Sequence, residues 1–493
     1  MSIHGHAKVE LFDAESKEKL FEVQKDNIVT NALKYLININ VANGQNLNDM
    51  VFPIASKALG GIILFDNTLT EDPENYNLPT DGSAHIVGFA GQTVSTSSIY
   101  RGSFNEAESG RTDHGFKSVW YFGTSQANGT IKALARTHAE SGVDPVFYDL
   151  LERTIVSRPD NFTQNDTYWY PLLYDDEYLY LWKHNDSDNT FRIAKIRKNM
   201  LRMKVADYNE LIDTRDIIKT IKEEYMTYSW DDYAYSGSDR HRSATYYATS
   251  RWQYVDGYDG YIYAVTSAMR GSNPVCTVLG YFTIKYSDLS FEKSEYKTIV
   301  LQSAYRGSSE PYRTTYDQES GDYIYTYRDY LYSYDDFTIS NGKLYVVTAD
   351  RKSIIIADLA TPAKQTQVQI FDASSNNYIY QINKYHPRNG GCTFQAYIYT
   401  ETGYYYRSGL VYADGVYLMT DIQRNVNSSL PSQYGEVVGK GLTLFAYCGE
   451  RRIYSGWNAG YLGTIANLSK PVDKNASQTM KITYTLTDED ETS

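Results

Sequence analysis

The sequence predicts a mainly β protein: an N-terminal β-sandwich with one helix, completed by the C-terminal strand, plus a tyrosine-rich β-propeller of about six or seven blades. Apolar and polar residues alternate at both ends of the chain, and short tyrosine-rich runs recur after turn-forming residues in its centre. All but five of the 49 tyrosines lie between Tyr148 and Tyr461, and tyrosine favours strands. We therefore divide the chain into residues 1–145, 146–464 and 465–493.

The composition narrows the classes of protein and partner. With 493 residues, 42% apolar and 22% charged, the chain is long enough for a large core and is close to the globular average. The net charge of −13 argues against nucleic acid and anionic membranes as partners, because both repel an acidic surface. The three cysteines are far apart and form no zinc or disulfide motif, and we predict no cofactor.

The segment from Met1 to Gln24 lacks the apolar core of a signal peptide. The most apolar early stretch, Val51 to Phe65, is too short to cross a bilayer and contains Lys57. We therefore expect a protein that is made in the cytoplasm, does not insert into a membrane and leaves the cell only when it is released, for example by lysis.

The start of the chain predicts a hairpin followed by a helix. Residues 7–11 alternate between apolar and charged side chains, and residues 21–23 alternate again after a polar turn, which predicts two paired strands. Asp26–Asn27 is a favourable helix N-cap and Asn43–Gly44 a favourable stop. The predicted helix places four apolar residues on one face: Val29, Ala32, Leu33 and Leu36.

Short apolar runs continue the first domain as predicted strands. They lie at residues 62–65, 85–89, 119–122 and 131–136, with polar and glycine-rich loops between them. Asn128–Gly129, between the last two runs, predicts a tight turn that joins them as a hairpin.

The centre of the chain repeats a turn followed by a short tyrosine-rich strand. The instances are residues 176–180, 259–263, 321–325, 341–345, 376–380 and 414–418. A period of about 40 residues with several strands per unit is typical of a β-propeller, and a run of stacked sandwiches is the alternative. Leu211, Ile218 and Ile221 break the pattern with helical spacing, so we predict an inserted helix within residues 207–225.

The C-terminus predicts one half-buried strand and an acidic tail. Alternating apolar residues from Met480 to Leu486 indicate the strand, which needs a partner. We expect it to return to the N-terminal sandwich, which makes the propeller a large insertion between the sandwich's strands. The candidate docking residues are Val9, Leu11, Leu33, Leu36, Ile482 and Tyr484.

No catalytic signature is present in the sequence. It lacks a nucleophile elbow, a phosphate-binding loop and the repeated boxes of sialidase-like propellers. The acidic pairs at 175–176, 231–232 and 335–336 could flank a sugar, but adjacent aspartates in turns are more often turn formers. We predict no enzyme activity and no catalytic residue.

Two segments have metal-binding residue types but incomplete patterns. Asp186–Asn189 matches part of a calcium loop and lacks the glycine and distal glutamate of an EF-hand. His4 and His6 share one face of a strand and could bind a metal if assembly brought copies together, although a plain N-terminal arm is the simpler interpretation. We therefore predict no metal site.

Dense aromatic clusters are the candidate binding residues. Rigid aromatic side chains supply contact area at low entropy cost, and strand alternation exposes some of them. Packing within the sheets is the alternative role. The candidates are Tyr168, Trp169, Tyr170, Tyr246, Tyr247, Trp252, Tyr254, Tyr404, Tyr405 and Tyr406.

Distinctive segments lie near both ends of the chain, at residues 4–11, 25–33, 60–72, 123–131, 467–472 and 478–487. Through these segments, both chain ends resemble the tail and baseplate-associated structural proteins of phages that infect Gram-positive gut bacteria. The resemblance extends roughly over positions 1–140 and 464–493 and does not include the tyrosine-rich centre. It implies an attachment module with shared ends and a variable middle.

The sequence and this resemblance together predict a virion structural protein, a tail fibre or appendage. Its ends would dock on other tail or baseplate proteins, and its tyrosine-rich domain would contact neighbouring subunits or a host-surface glycan or protein. Phage appendages repeat by symmetry, so we expect a homo-oligomer. The alternative is a polysaccharide depolymerase, motivated by acidic pairs beside aromatic residues.

Overall fold

The computed structural model describes the chain in segments. They are residues 3–38, 51, 53–95, 98–146, 154–157, 170–175, 177–185, 190–197, 216–222, 227–229, 245–247, 251–254, 260–270, 276–291, 297–302, 312–316, 323–327, 337–348, 350–383, 390–421, 434–440, 442–448, 452–457 and 459–488. Strands make up 56% of the chain and helix 2%, which confirms the prediction of a mainly β protein. In these segments, no helix is long and apolar enough to span a membrane.

The elements follow one another in chain order. The first are β1 (His4–Asp13), β2 (Lys19–Asp26), β3 (Ile28–Val29), α1 (Ala32–Asn38), β4 (Gly61–Phe65), β5 (Ile86–Ala90), β6 (Ser103–Phe104), β7 (Gly110–Thr112), β8 (Gly115–Phe122) and β9 (Gly129–Thr137). The central strands are β10 (Thr154–Ser157), β11 (Tyr170–Tyr174), β12 (Tyr178–Asn185), β13 (Thr190–Arg197), β14 (Asp216–Lys222), β15 (Thr227–Ser229), β16 (Thr245–Tyr247), β17 (Arg251–Tyr254), β18 (Tyr261–Arg270), β19 (Cys276–Lys285), β20 (Ser290–Phe291), β21 (Lys297–Gln302), β22 (Tyr312–Tyr316), β23 (Tyr323–Tyr327), β24 (Phe337–Ser340), β25 (Lys343–Val347), β26 (Ser353–Asp358), β27 (Gln365–Gln369), β28 (Tyr378–Asn383), β29 (Cys392–Thr400), β30 (Gly403–Val411), β31 (Tyr417–Met419), β32 (Tyr434–Lys440), β33 (Thr443–Cys448) and β34 (Arg452–Trp457). The last are β35 (Thr464–Lys474) and β36 (Gln478–Thr487).

Two sheets built from both chain ends form the sandwich. One has the strand order β2-β1-β36-β8-β6, with β7 also on β8, and the other has the order β3-β35-β9-β4-β5. The C-terminal strand β36 lies between β1 and β8, with Val9 opposite Ile482 and Ser118 opposite Tyr484. Because β36 is an interior strand, the first sheet is continuous only when the last residues of the chain are in place.

The sandwich core contains a buried cation. Arg136, on β9, is fully buried and its guanidinium lies 4.8 Å from the centre of the Trp120 ring and 5.0 Å from that of Tyr484. Its Nη2 donates to the backbone carbonyls of Ala55, at 3.1 Å, and Leu59. The side chain therefore joins one sheet to two aromatic rings of the other through cation–π contacts.

The sheet containing β4 is buried on both faces. Ile62 and Leu64 belong to the sandwich core, whereas Ile63 and Phe65 pack in a second core with Leu410 of β30. A strand with apolar residues at every position is expected only when both faces are covered, and Gly61–Phe65 is such a strand. The tyrosine-rich domain is thus packed directly against the sandwich.

The tyrosine-rich domain consists of sequential antiparallel sheets. In the described segments, four have four strands, one has five and two have two, and most pair strands that are consecutive in the chain. Strand β10, the first described strand of the domain, pairs with β34, the last described one, so segments near the domain's beginning and end share one sheet. Such pairing closes a ring of blades, as in a propeller. The predicted count of six or seven blades stays a prediction, because two sheets show only two described strands.

Neighbouring sheets of this domain pack through shared apolar cores. Phe191 and Ile193 of β13 pack with Ile284 of β19 in one core. In another, Tyr263 of β18 meets residues of β24–β26, and a third joins β25–β27 to β28–β30. The four- and five-stranded sheets therefore pack on one another through apolar side chains, and in the first two cases a two-stranded sheet comes between the partners in chain order.

The predicted helix within residues 207–225 is wrong. Residues 216–222 form β14, which pairs antiparallel with β13, and Leu211 lies outside the described residues. Ile221 is buried with Phe191 and Ile193 of β13. Tertiary pairing overrides the local helical spacing, which rested on three apolar positions only.

The helix of the first domain begins later than the cap predicted. Ile28 and Val29 form β3, which pairs with β35, so Asp26–Asn27 precedes a strand. The helix begins at Ala32, whose backbone N–H is 3.3 Å from the Thr30 hydroxyl oxygen. Strand pairing with a segment near the other end of the chain satisfies the backbone there, and local capping preference could not indicate it. The predicted stop at residues 43–44 lies outside the described residues.

Asn128–Gly129 does not join two paired strands, so the predicted hairpin is wrong. Strand β8 belongs to the first sandwich sheet and β9 to the second, so the connection crosses between sheets. Lys474, at the end of β35, holds this crossing: its ammonium donates to the carbonyl oxygen of Gly123 and to Oδ1 of Asn128, each at 2.8 Å. A polar side chain from distant sequence therefore determines the shape of this loop.

Replacing Lys474 with methionine is expected to lower the free energy of unfolding by about 1–3 kcal/mol, because the Gly123 carbonyl and the Asn128 side chain lose a shared donor in a buried site. Chemical denaturation of the purified protein measures this change. Lys470, exposed on the same strand, is the matched control, and Lys470→Met should change stability by less than about 0.5 kcal/mol. Equal effects of the two substitutions would contradict the role of Lys474.

Candidate binding surface

Six tyrosines lie together on one face of the β28–β30 region, and we call them the tyrosine surface. Strands β29 and β30 form a long hairpin, and β28 pairs with β29 on the other side. Residues two apart on a strand point to the same face, so alternation within each strand produces the group. Its members are Tyr378, Tyr380, Tyr397, Tyr399, Tyr404 and Tyr406.

The opposite face of these strands is apolar and buried. Phe394, Ala396 and Ile398 of β29 pack with Ile379 of β28 in the core shared with the β24–β27 sheet. This burial determines which face is covered, and the register of the hairpin then places the tyrosines on the other face.

Strand register determines which rings meet. Tyr397 lies directly opposite Tyr378 on one side and Tyr406 on the other, and Tyr399 lies opposite Tyr404. The Tyr397 ring is stacked on those of Tyr378, at 4.9 Å between centroids, and Tyr404, at 4.6 Å. Tyr397 is therefore the centre of the group, and cross-strand aromatic pairs of this kind stabilise a sheet.

The peripheral rings contact Tyr397 or its neighbours at an angle. Tyr399 is tilted against Tyr397, with ring centroids 5.0 Å apart. The Tyr406 ring stands edge-on to Tyr397 at 5.4 Å and to Tyr380 at 5.1 Å. Because every ring touches another ring, each is held in a narrow range of orientations before any partner arrives.

The exposed part of the surface is aromatic and uncharged. Tyr399 and Tyr404 are each 48% exposed and Tyr380 is 38% exposed, whereas Tyr406 is 7% exposed and supports them from below. Burial raises the pKa of Tyr406 to about 12 and raises the pKa of the Tyr397 hydroxyl, to which hydrogen bonding with Tyr404 also contributes. These hydroxyls stay neutral near pH 7 and can both donate and accept hydrogen bonds.

Polar contacts from the adjoining turns hold the strands in place. Oδ1 of Asn377 accepts a hydrogen bond from the Tyr399 backbone N–H at 2.9 Å. Arg351, in the β25–β26 turn, donates to the Ile379 carbonyl at 2.9 Å, and Lys352 donates to the Ser375 carbonyl at 2.6 Å. The surface thus rests on a supported sheet and is not carried by a free loop.

Three of the predicted binding aromatics lie on or beside this surface. Tyr404 is exposed on it and Tyr406 lies beneath it. Tyr405 points to the opposite face, where it packs on the core beneath with Arg407 5.4 Å from its ring. The run Tyr404–Tyr406 therefore divides between the two faces, as strand alternation requires.

The other predicted aromatics are in different places. Tyr170 is half-buried and stacks on Trp182 at 5.1 Å, which favours packing over binding. Strands β16 and β17 contain Tyr246, Tyr247, Trp252 and Tyr254, whose side chains lie outside the described part of the structure. Tyr168 and Trp169 also lie outside it.

Four members of the tyrosine surface were not predicted as binding residues: Tyr378, Tyr380, Tyr397 and Tyr399. Each pair is separated by one isoleucine, in the patterns Tyr-Ile-Tyr at 378–380 and 397–399. This alternation was a usable signal for one shared face. Which strands would lie next to each other could not be read from it.

All six candidate docking residues are in the sandwich core. Val9, Leu36, Ile482 and Tyr484 have no exposed surface, and Leu11 and Leu33 are 5% exposed or less. They stabilise the module by packing the chain ends together and do not form its surface. Any contact of this module with another protein must use other side chains.

Of the predicted acidic pairs, the structure describes only Asp175, which forms a turn. Oδ1 of Asp175 accepts the backbone N–H groups of Glu177, at 2.7 Å, and Tyr178, at 2.6 Å, which makes it a turn former. Its Oδ2 accepts the Tyr286 hydroxyl at 2.9 Å. Asp176 and the other two acidic pairs lie outside the described residues.

The candidate metal ligands also have other partners or lie outside the described residues. His6 bonds to Asp26 at 2.7 Å, and the segment 186–189 is not described. Within the described segments, no group of three or more His, Cys, Asp or Glu residues is arranged to hold a metal ion.

No protein-family model matches the chain, and no curated protein matches its sequence. Among solved structures, it is similar to a member of the DUF4221 family from Bacteroides vulgatus, with 9% identity, a TM-score of 0.27 and coverage of 65% of this chain and 98% of that one. The β-propeller domain of the Trilobed protease from Pyrococcus furiosus matches with 9% identity, a TM-score of 0.24 and coverage of 73% and 96%. A polysaccharide lyase, an ulvan lyase, matches with 7% identity, a TM-score of 0.20 and coverage of 71% of this chain and 91% of that one. Similarity this weak supports no conclusion about the function of this chain.

Proposed function

We propose that this protein is a structural component of a phage tail or baseplate that binds a neighbouring subunit or the host surface without chemical turnover. The observation that carries the binding role is the tyrosine surface, six mutually supported rings of which three are more than a third exposed. The resemblance of both chain ends to tail and baseplate proteins supports the place in the virion.

The composition of the tyrosine surface favours recognition of another surface. Tyrosine supplies a large, rigid contact area and a polar tip, which is why it is enriched where proteins bind partners. The rings are already ordered by one another, so binding would immobilise few additional side chains. A neutral surface on a chain of net charge −13 also favours an uncharged partner over an anionic one.

The sandwich suits the role of attachment module. It unites both chain ends and is joined through an apolar core to the strand that continues the tyrosine surface, since Leu410 of β30 packs on Ile63 and Phe65. We propose that other tail or baseplate proteins bind this module, that the protein assembles as a homo-oligomer and that it needs no cofactor. Because the sandwich and the sheet are packed directly together, attachment of the sandwich would also fix the position of the tyrosine surface.

Locating the protein in virions tests this function. Antibodies raised against the purified protein should label the tail end of particles in electron micrographs, and peptides of the protein should appear in particles purified by density. Recovery of the protein only from the particle-free lysate would contradict a structural role.

Replacing the three exposed rings together, as Tyr380→Ser, Tyr399→Ser and Tyr404→Ser, is expected to reduce binding to host cells at least about 30-fold, because exposed aromatic anchors dominate interface energies. Fluorescently labelled protein on intact cells measures the affinity. Tyr417→Ser is the matched control: it removes a 40% exposed tyrosine from β31 of the same sheet and should leave binding unchanged. Unchanged binding by the triple variant would remove the tyrosine surface from the proposal.

The alternative, a polysaccharide depolymerase, predicts a different result with the same reagents. Incubation with host cell-wall glycans should release reducing ends if the protein is an enzyme. Binding without release would support the adhesion role. The turn-forming contacts of Asp175 favour the second outcome, because its carboxylate is already bonded to two backbone N–H groups and to Tyr286.

A further inference from the structure

A histidine bridges the junction between the sandwich and the sheet that carries the tyrosine surface. Nδ1 of His85 lies 2.9 Å from Oδ2 of Asp66, at the end of β4. Its Nε2 lies 3.0 Å from Oδ2 of Asp414, in the turn between β30 and β31. Both ring nitrogens thus face carboxylates, one from each of the two parts of the chain.

The contacts around His85 belong to the same junction. The Tyr412 ring stands edge-on to the imidazole at 4.7 Å, and its hydroxyl accepts the backbone N–H of Ile86 at 3.0 Å. The backbone N–H of Ala413 donates to the Thr80 carbonyl at 2.9 Å. The residues of β30–β31 and of the loop before β5 are therefore hydrogen-bonded to each other on both sides of the histidine.

A glycine allows the carboxylate to approach this loop. A Cβ on Gly82 would lie 2.7 Å from the carboxyl carbon of Asp414, and Gly82 has a φ of +89°, which disfavours any L side chain. Asp414 is therefore seated closely against the loop that carries His85, and its position depends on that loop.

We propose that His85 is a pH-sensitive latch that fastens the sandwich to the sheet bearing the tyrosine surface. An imidazolium donates to both carboxylates at once and forms two charge-assisted hydrogen bonds. A neutral imidazole has one N–H only, so one of its nitrogens must present a lone pair to a carboxylate. Deprotonation therefore places two acceptors against each other at one of the two nitrogens and removes the imidazolium charge that attracts Asp414 across the junction. This inference does not depend on what the tyrosine surface binds.

The sign of the pH dependence follows from the groups around His85. Those in contact with it are Asp66, Asp414 and the Tyr412 ring, whereas Asp81 of the same loop is bonded to Ser83. Partial burial alone would lower the pKa of His85, but hydrogen bonding and attraction from the two carboxylates outweigh it and raise the pKa. A raised folded-state pKa means stabilisation that is present below the unfolded value near 6.5 and lost as pH rises through the folded value. The junction should be tighter in mild acid than in mild base.

The test follows two quantities in the full chain: the protonation of His85 and the opening of the junction. Imidazole resonances titrated by NMR should show His85 titrating above pH 6.5, and hydrogen exchange, corrected for its intrinsic pH dependence, should show severalfold faster opening at residues 84–88 and 411–415 at pH 8 than at pH 6. Asp414→Asn should lower the His85 titration midpoint and reduce the pH dependence of opening. His6→Asn is the matched control, since His6 pairs with one carboxylate on an exposed strand, and it should leave both unchanged.

Two results would overturn the proposal. One is a His85 midpoint at or below 6.5 in the full chain, and the other is a junction whose corrected exchange is the same at pH 6 and pH 8. His85→Gln supplies an independent check: if it folds, its junction exchange should lose the pH dependence. If it does not fold, Asp414→Asn, which keeps the size of the side chain and one acceptor oxygen and removes the charge, decides the question.

Discussion

Deleting residues 476–493 is expected to abolish cooperative folding of the sandwich. The deletion removes β36, which lies between β1 and β8 and pairs with both along nearly its whole length. The first sheet would then be split into two parts with two new edges, each presenting unpaired backbone groups.

The energy lost is comparable to the stability of a whole domain. Met480, Ile482 and Tyr484 are fully buried and Leu486 is 5% exposed. Four such side chains at about 1.5–3 kcal/mol each amount to about 6–12 kcal/mol, whereas domains are stable by about 5–15 kcal/mol. The remaining strands cannot restore this burial. Even if β1 and β8 moved together and paired, the four side chains of β36 would still be missing from the core.

Thermal unfolding with limited proteolysis measures this prediction. The truncated chain should show no transition for the sandwich and should be cut within residues 1–137, while deleting only residues 489–493 should leave the transition unchanged. A truncated protein that keeps a protease-resistant sandwich would mean that β36 is dispensable. It would also contradict the inference that the chain ends form one unit.

Substitution of Arg136 is expected to lower the free energy of unfolding in an unusual order, with methionine least harmful, lysine intermediate and alanine worst. Alanine leaves a cavity between Trp120 and Tyr484 and should cost about 3–5 kcal/mol. Methionine keeps the apolar contact with both rings and removes a buried charge, so only the bonds to the two backbone carbonyls and to the Ser118 hydroxyl are lost, at about 1–2 kcal/mol.

Lysine should be worse than methionine although it keeps the charge. Burial already lowers the pKa of Arg136 to about 10, and no carboxylate is bonded to its guanidinium among the described residues. An ammonium is more strongly hydrated than a guanidinium and cannot stack as a plane between two rings, so its desolvation is less well compensated. Lys132→Met, on the same strand, serves as the control.

Chemical denaturation of the three variants decides between packing and charge. If Arg136→Lys proves the mildest substitution, the positive charge itself is what the core requires. If methionine is the mildest, the guanidinium acts mainly as a flat packing element between the two sheets. The second outcome is expected from its position between two aromatic faces.

Several parts of this structure could be predicted locally. Alternation at residues 7–11 and 480–486 indicated half-buried strands, because a strand with one covered face must alternate. The continuous apolar run within Gly61–Phe65 indicated a buried strand. Two of the six tyrosines of the binding surface were within a predicted cluster, and the other four were in alternating runs that carried the same signal.

The errors occurred where distant residues determine the local conformation. Ile28–Val29 pairs with β35, residues 216–222 complete a sheet beside β13, and Asn128 is bonded to Lys474. In each case a helix or turn preference worth about 1 kcal/mol or less competed with pairing and burial that satisfy several groups together. Local sequence carries no record of these partners.

The sequence by itself determined that the chain is β-rich, that its two ends each form a strand and that tyrosine dominates its centre. These properties follow from the amino-acid composition and from the alternation of apolar and polar residues along a strand, both of which can be read within a few residues. Only the tertiary structure decided that six rings from three strands meet on one face, that Arg136 is held between two aromatic rings, and that His85 joins two carboxylates from distant parts of the chain. Such groupings depend on strand register and sheet packing, which are set by the free energy of the whole fold and by no single segment.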